Sequence, residues 1–167
     1  MCSSDLRPPG TPACSRWTPC ATSDMHPTIL VVCADEYLSK VVEHSLEIAG
    51  YRTELAALGG LVLEKIDQAK PVLVLLDWKL PDLSGLAILR LIRSDLRAAR
   101  IPIILIGSQM SESDRIIALE AGADICLAES FQEKVIVARV RALLRRVSAS
   151  ESESGKKEFT ARLEGGW

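Results

Sequence analysis

The stretch PVLVLLDWKLPDLSG, Pro71 to Gly85, decides the fold. A continuous apolar run, Val72 to Leu76, ends on a single carboxylate, Asp77. A Pro81-Asp82 turn and a Ser84-Gly85 pair follow closely. An apolar run without alternation is the pattern of a strand covered on both faces, as in a parallel sheet. A charge at the tip of such a strand is costly unless something pairs with it. Asp77 is therefore the first candidate functional residue.

Outward from this strand the chain alternates. TILVV (28–32) is a short β-branched run. EYLSKVVEHSLEIAG (36–50) sets Leu38, Val41, Val42, Ser45, Leu46 and Ala49 on one helical face, and Gly50 closes the helix. YRTELAA (51–57) alternates as a strand, and LVLEKIDQA (61–69) reads as a short helix. Downstream, Ser84 is placed to cap a helix through GLAILRLIRSDL (85–96). IPIILIG (101–107) is a second buried strand, SESDRIIALEAG (111–122) a capped helix and DICLA (124–128) a short strand. FQEKVIVARVRALLRRV (131–147) is a long amphipathic helix. The pattern predicts a five-stranded, doubly wound parallel α/β sheet over residues 28–147, with helices on both faces. A closed eight-stranded barrel needs about 250 residues, so an open sheet is expected. Such sheets carry their sites at the C-terminal ends of the strands, where Asp77 lies.

Residues 1–27 are rich in Pro, Ser, Thr and Cys and lack an apolar period, so a disordered N-terminal extension is expected. Residues 148–167 read as a polar linker and tail, with no effector domain visible. Aromatics make up only 4 % of a chain that is 48 % hydrophobic, so the core is aliphatic. A net charge of −2 excludes a strongly basic nucleic-acid surface in this segment. No apolar run is long enough for a bilayer, and no signal-peptide core is present. Cys2, Cys14, Cys20, Cys33 and Cys126 match no zinc or redox spacing, which predicts unpaired thiols in a cytoplasmic protein.

The segments ILVV, LVLLDWKLPDLSGL, IPIILI, LEAGAD and VIVARVRALLRR stand in an order and at a spacing that resembles the receiver domains of two-component response regulators. The likeness covers residues 29–147 and is greatest to the OmpR/PhoB type. A dinucleotide-binding reading is weak, because no glycine follows the first strand. The resemblance implies a domain that moves a phosphoryl group from a histidine kinase to its own aspartate, with Asp77 as phosphoacceptor. That chemistry uses two acids after the first strand to hold Mg²⁺, a hydroxyl after the fourth strand and a lysine after the fifth. Here the acid pair is Cys33 and Ala34, the hydroxyl position is Gly107 and the lysine position is Glu129. The surrounding spacing needs no gap, so these are substitutions within an unchanged register. Asp35 and Glu36 lie one and two residues further on, and Ser108 one place beyond Gly107. A slip of one residue reverses the face of a strand. Asp35 and Glu36 are read instead as starting the first helix, at the positive end of its dipole. Glu129 reverses a charge. At about 4 Å and an effective dielectric near 20, one unit pair is worth roughly 4 kcal/mol. The Mg²⁺ site is expected to be lost and no other cofactor is implied. Non-bleaching regulators of cyanobacteria are family members of this atypical kind. Lys79 is the nearest cation in sequence for pairing with Asp77.

The resemblance further implies homodimerisation through the fourth helix, fifth strand and fifth helix. The matching positions include Arg115, Glu120, Asp124, Arg139 and Arg141, whose opposite charges suit a two-fold network. Val135 stands where a glutamate is usual. A merely solvated charged face is the plainer reading, since isolated surface pairs contribute little. Cys126 occupies the position of the family's switch aromatic and is too small for that role. The sequence thus reads as a non-enzymatic, phosphorylation-independent receiver of a transcription regulator. It is expected to bind protein partners, and to leave DNA to an effector domain and the membrane untouched. The alternatives are a conventional receiver phosphorylated on Asp77 and a ligand-binding module using the emptied pocket.

Overall fold

Five short strands build one parallel sheet: β1 (Thr28–Val32), β2 (Arg52–Ala56), β3 (Leu73–Asp77), β4 (Ile103–Ile106) and β5 (Ile125–Leu127), in the order β2-β1-β3-β4-β5. The computed structural model describes residues 26–127 and 132–163. The helices are α1 (Glu36–Ile48), α2 (Val62–Ala69), α3 (Gly85–Ser94), α4 (Glu112–Glu120) and α5 (Glu133–Leu163), and a 3₁₀ turn, Gly59–Leu61, leads into α2. This is the doubly wound α/β architecture that the alternation predicts.

The core follows from strand periodicity. Leu30, Val32, Val74, Leu76, Ile103 and Leu105 face one layer, with Val62 and Ile66 of α2, Ile88, Leu89 and Ile92 of α3 and Ala118 of α4. Ile29, Val31, Leu73, Leu75, Ile104 and Ile106 face the other, with Val42 and Leu46 of α1 and Ile136, Val140 and Leu143 of α5. Both faces of the three central strands are sealed, which is why their sequences show no polar alternation. From β1 the chain first adds β2 on one side and then crosses to β3 on the other. A crevice opens where that direction reverses, outside the C-terminal ends of β1 and β3. Cys33 follows β1 and Asp77 ends β3, so both fall in it.

Two boundaries differ from the sequence expectation. The backbone helix of α5 runs on to Leu163 instead of stopping at Val147. The polar stretch after Val147 lacks proline, and its interior glycine, Gly155, costs a helix about 1 kcal/mol without stopping it. At the other end, Pro27 O accepts from Arg52 N at 3.0 Å and His26 Nδ1 lies 2.9 Å from Gly50 O, so these two residues lie against the start of β2. The remainder of the expected N-terminal extension, residues 1–25, lies outside the described residues.

Candidate functional site

Asp77 is fixed by the turn that follows it. Trp78 N donates to Ile106 O at 2.7 Å, and Gly85 N returns to Trp78 O at 3.0 Å. Lys79 and Ser84 form an antiparallel bridge across the loop. A Cβ at Gly85 would stand 2.6 Å from Asp77 O and 2.9 Å from Trp78 Cα, so only glycine lets α3 start this close to the strand tip. Ser84 Oγ accepts from Ala87 N at 3.2 Å and caps the helix. The DLSG segment therefore aims one half-buried carboxylate into the crevice.

The carboxylate's partners are modest. Oδ1 accepts from Lys79 N at 3.1 Å, and Oδ2 accepts from the Cys33 thiol at 3.5 Å. Lys79 contributes its amide, while its ammonium turns to Gln109 Oε1. Cys33 Sγ also lies 3.6 Å from Asp35 O. Burial pushes the Cys33 thiol up from 9.0 to about 11, and the negative charge of Asp77 adds to this. A protonated thiol thus stands where the resemblance places an acid.

Asp35 and Glu36 do not replace it. Asp35 Oδ1 accepts from Tyr37 N at 2.9 Å and Leu38 N at 3.1 Å, as the N-cap of α1. Glu36 pairs with Lys40 Nζ at 2.6 Å on the outer face of α1. Ala34 is exposed and brings no ligand atom. Mg²⁺ demands hard oxygen ligands in near-octahedral array. One carboxylate beside a neutral thiol does not meet that demand, so the residues present do not fit the ion the family would hold. Among the described residues, no three His, Cys, Asp or Glu side chains converge to suit a metal.

Gly107 is buried at the end of β4. A Cβ there would stand 2.7 Å from Trp78 Cβ and 2.8 Å from Met110 Cγ. Apolar packing from two loops thus fills the place where the resemblance implies a hydroxyl, and the neighbouring Ser108 is exposed. Neither Trp78 nor Met110 stood out in the sequence. The remaining hollow, between Val31, Cys33, Leu38, Val42, Leu75 and Asp77, measures about 10 Å³, room for a single water. Small-molecule pockets run to about 300 Å³ and more, which argues against the ligand-module alternative. Glu129 lies outside the described residues. Cys126 packs half-buried against the α2–α4 layer, and burial raises its thiol.

The expected interface residues divide into two groups. Arg115 and Glu120 are exposed on α4, and Arg139 and Arg141 on α5. Asp124 is engaged within the chain instead, at 3.0 Å from Arg93 Nη2 and accepting from Ile103 N at 2.8 Å.

Residues 29–141 match the family model described as response regulator receiver domain. The chain belongs to the response regulator receiver family. This receiver domain is 34 % identical over 128 residues to the transcriptional regulatory protein GltR of Pseudomonas aeruginosa, covering 77 % of this chain and 53 % of that protein. It is 35 % identical over 127 residues to the phosphate regulon transcriptional regulatory protein PhoB of the same organism, covering 76 % and 56 %. The chain thus spans about half the length of these curated relatives. A response regulator structure from Chloroflexus aurantiacus superposes with a TM-score of 0.68 at 30 % identity, covering 72 % of this chain and 98 % of that one. The BeF₃-activated receiver domain of Klebsiella pneumoniae RstA gives 0.66 at 30 %, covering 71 % and 98 %. The OmpR/PhoB likeness read from the sequence accords with these relatives. No described helix of the receiver is long and apolar enough to cross a membrane.

The raised Cys33 thiol has a consequence for stability. The folded value, about 11, exceeds the ordinary 9.0, so the unfolded chain loses its proton first as pH rises. This contribution is complete below pH 9.0 and is lost as the pH climbs through about 11. Denaturant midpoints measured across that window should fall more steeply for the native chain than for Cys33→Ala. Parallel curves would show that Cys33 has an ordinary environment.

Proposed function

We propose that this receiver works without phosphorylation, as a dimerisation and protein-binding module of a transcription regulator. The single observation that carries the reading is the state of the crevice. A neutral thiol faces Asp77, and Trp78 and Met110 fill the place where a hydroxyl would meet a phosphoryl group. A phosphoryl group would add close to two negative charges beside Asp77, with no ligand set for a compensating metal among the described residues. The reading rests on this pocket and not on a likeness to non-bleaching regulators. DNA contact would fall to an effector domain outside this segment, by analogy with the transcriptional regulators it resembles.

Self-association suits the exposed surface of α4 and α5. Ile116 is 53 % exposed, Leu119 48 % and Val135 40 %, an apolar surface that a lone domain gains nothing by presenting to water. Arg115, Glu120, Arg139 and Arg141 supply both signs of charge on the same two helices, so a second copy related by a two-fold axis offers complementary partners.

Sedimentation of the purified chain, with and without Mg²⁺ and acetyl phosphate, tests both halves of the proposal. A dimer whose dissociation constant ignores acetyl phosphate is expected. Arg139→Glu should weaken it by about tenfold, the scale of one or two charged contacts, and added salt should weaken it further. A strict monomer at high concentration rejects the module. A dimer that forms only with acetyl phosphate favours the conventional reading of Asp77.

A further inference from the structure

Arg93, near the C-terminal end of α3, ties two separate segments to that helix with one guanidinium. Nη1 donates to Ala99 O at 2.9 Å and to Ile101 O at 2.7 Å, in the connection to β4. Nε and Nη2 donate to Gly122 O at 2.9 and 2.7 Å, in the turn between α4 and β5. Nη2 also reaches Asp124 Oδ2 at 3.0 Å. That carboxylate in turn accepts from Ile103 N at the start of β4. The turn is shaped around the side chain. Gly122 has φ of 110°, and a Cβ there would stand 2.9 Å from Arg93 Nε.

Beyond this clamp the α4–β5 unit is held by the ladder of β5 to β4 and by the buried Ala118 and Ala123, and it buries few large apolar side chains of its own. β5 is the edge strand, three residues long, with none fully buried. Of the nine residues of α4 only Ala118 is buried. Segments with few buried apolar contacts open at low free energy. An arginine that satisfies several carbonyls at once is a rigid fork that lysine cannot copy.

We infer that Arg93 is the anchor of the α4–β5 unit and a positioning residue for the self-association surface that this unit carries. The second half rests on the self-association reading above, and the test separates the two.

Hydrogen exchange and sedimentation on the full chain compare Arg93→Ala, Arg93→Lys, Asp124→Asn and a distant core control, Val31→Ala. For Arg93→Ala, amides between 117 and 127 should exchange roughly tenfold faster while those of β1 and β3 keep native protection. Its self-association should weaken by about tenfold, since a mobile α4 must be ordered before it docks. Arg93→Lys should fall between, and it serves as the test variant if Arg93→Ala does not fold. Asp124→Asn should stay near native, because the four bonds to carbonyls survive. Val31→Ala should raise exchange across the core without changing the dimer. The anchor is overturned if Arg93→Ala leaves residues 117–127 protected, or exposes them only in step with β1 and β3. Local loosening with an unchanged dimer overturns the positioning role alone. If the native chain is monomeric, the self-association reading fails and the exchange pattern still decides the anchor.

Discussion

Mg²⁺ is expected to leave Trp78 fluorescence unchanged in the native chain and to quench it saturably in the double variant Cys33→Asp, Ala34→Asp. Trp17 and Trp167 are replaced by phenylalanine so that Trp78 alone reports. Among the described residues of the native crevice Asp77 is the single carboxylate, and its Oδ2 faces a thiol 3.5 Å away whose burial pushes it up to about 11. Asp35 is committed to two amides of α1 and is not free to turn inward. Aspartate at 33 would place a second carboxylate against Asp77. Two such groups repel, and a divalent cation relieves the repulsion. Each added contact near the surface is worth about 1 kcal/mol, so binding should tighten by at least tenfold over the native chain. Saturable quenching of the native chain, abolished by Asp77→Ala, contradicts this expectation.

Gly107→Ala is expected to destabilise the domain by about 1–3 kcal/mol, and Gly107→Thr by more. The new Cβ meets Trp78 Cβ at 2.7 Å and Met110 Cγ at 2.8 Å. Trp78→Ala gives no relief, because alanine keeps the same Cβ, and Met110→Ala relieves only the second contact. The backbone of β4 must move away from the start of the β3–α3 loop, and Trp78 N–H to Ile106 O, at 2.7 Å, resists that shift. Denaturant midpoints read the effect directly. A Gly107→Thr protein as stable as the native chain would mean that the crevice is more plastic than its packing implies. It would also return a hydroxyl to the place where the family uses one.

These two sites mark how far the sequence could be read. β3 and β4 were legible because burial on both faces forces uninterrupted aliphatic runs, VLVLL and IPIILI. The role of Asp35 was legible because an N-cap is local, decided by amides two and three residues away. The filling of Gly107 was not, since Trp78 and Met110 arrive from different loops and neither breaks a local rule. Nor was the partner of Asp124. Arg93 lies 31 residues upstream, on a helix whose sequence shows only another exposed-looking arginine. The extent of α5 was misjudged because the end of apolar periodicity marks where a helix leaves the core, and helical backbone can continue beyond that point.

The phosphorylation-independent reading is tested most directly by mass. The intact chain is incubated with Mg²⁺ and acetyl phosphate alongside Asp77→Ala, and both are weighed by mass spectrometry under conditions that preserve acyl phosphates. A crevice with a protonated thiol at Cys33, no ligand set for Mg²⁺ among its described residues and an apolar filling at Gly107 predicts identical, unmodified masses for each protein before and after treatment. A native chain that gains one phosphoryl group, with none on Asp77→Ala, would show that Asp77 still carries the signal and would contradict the account.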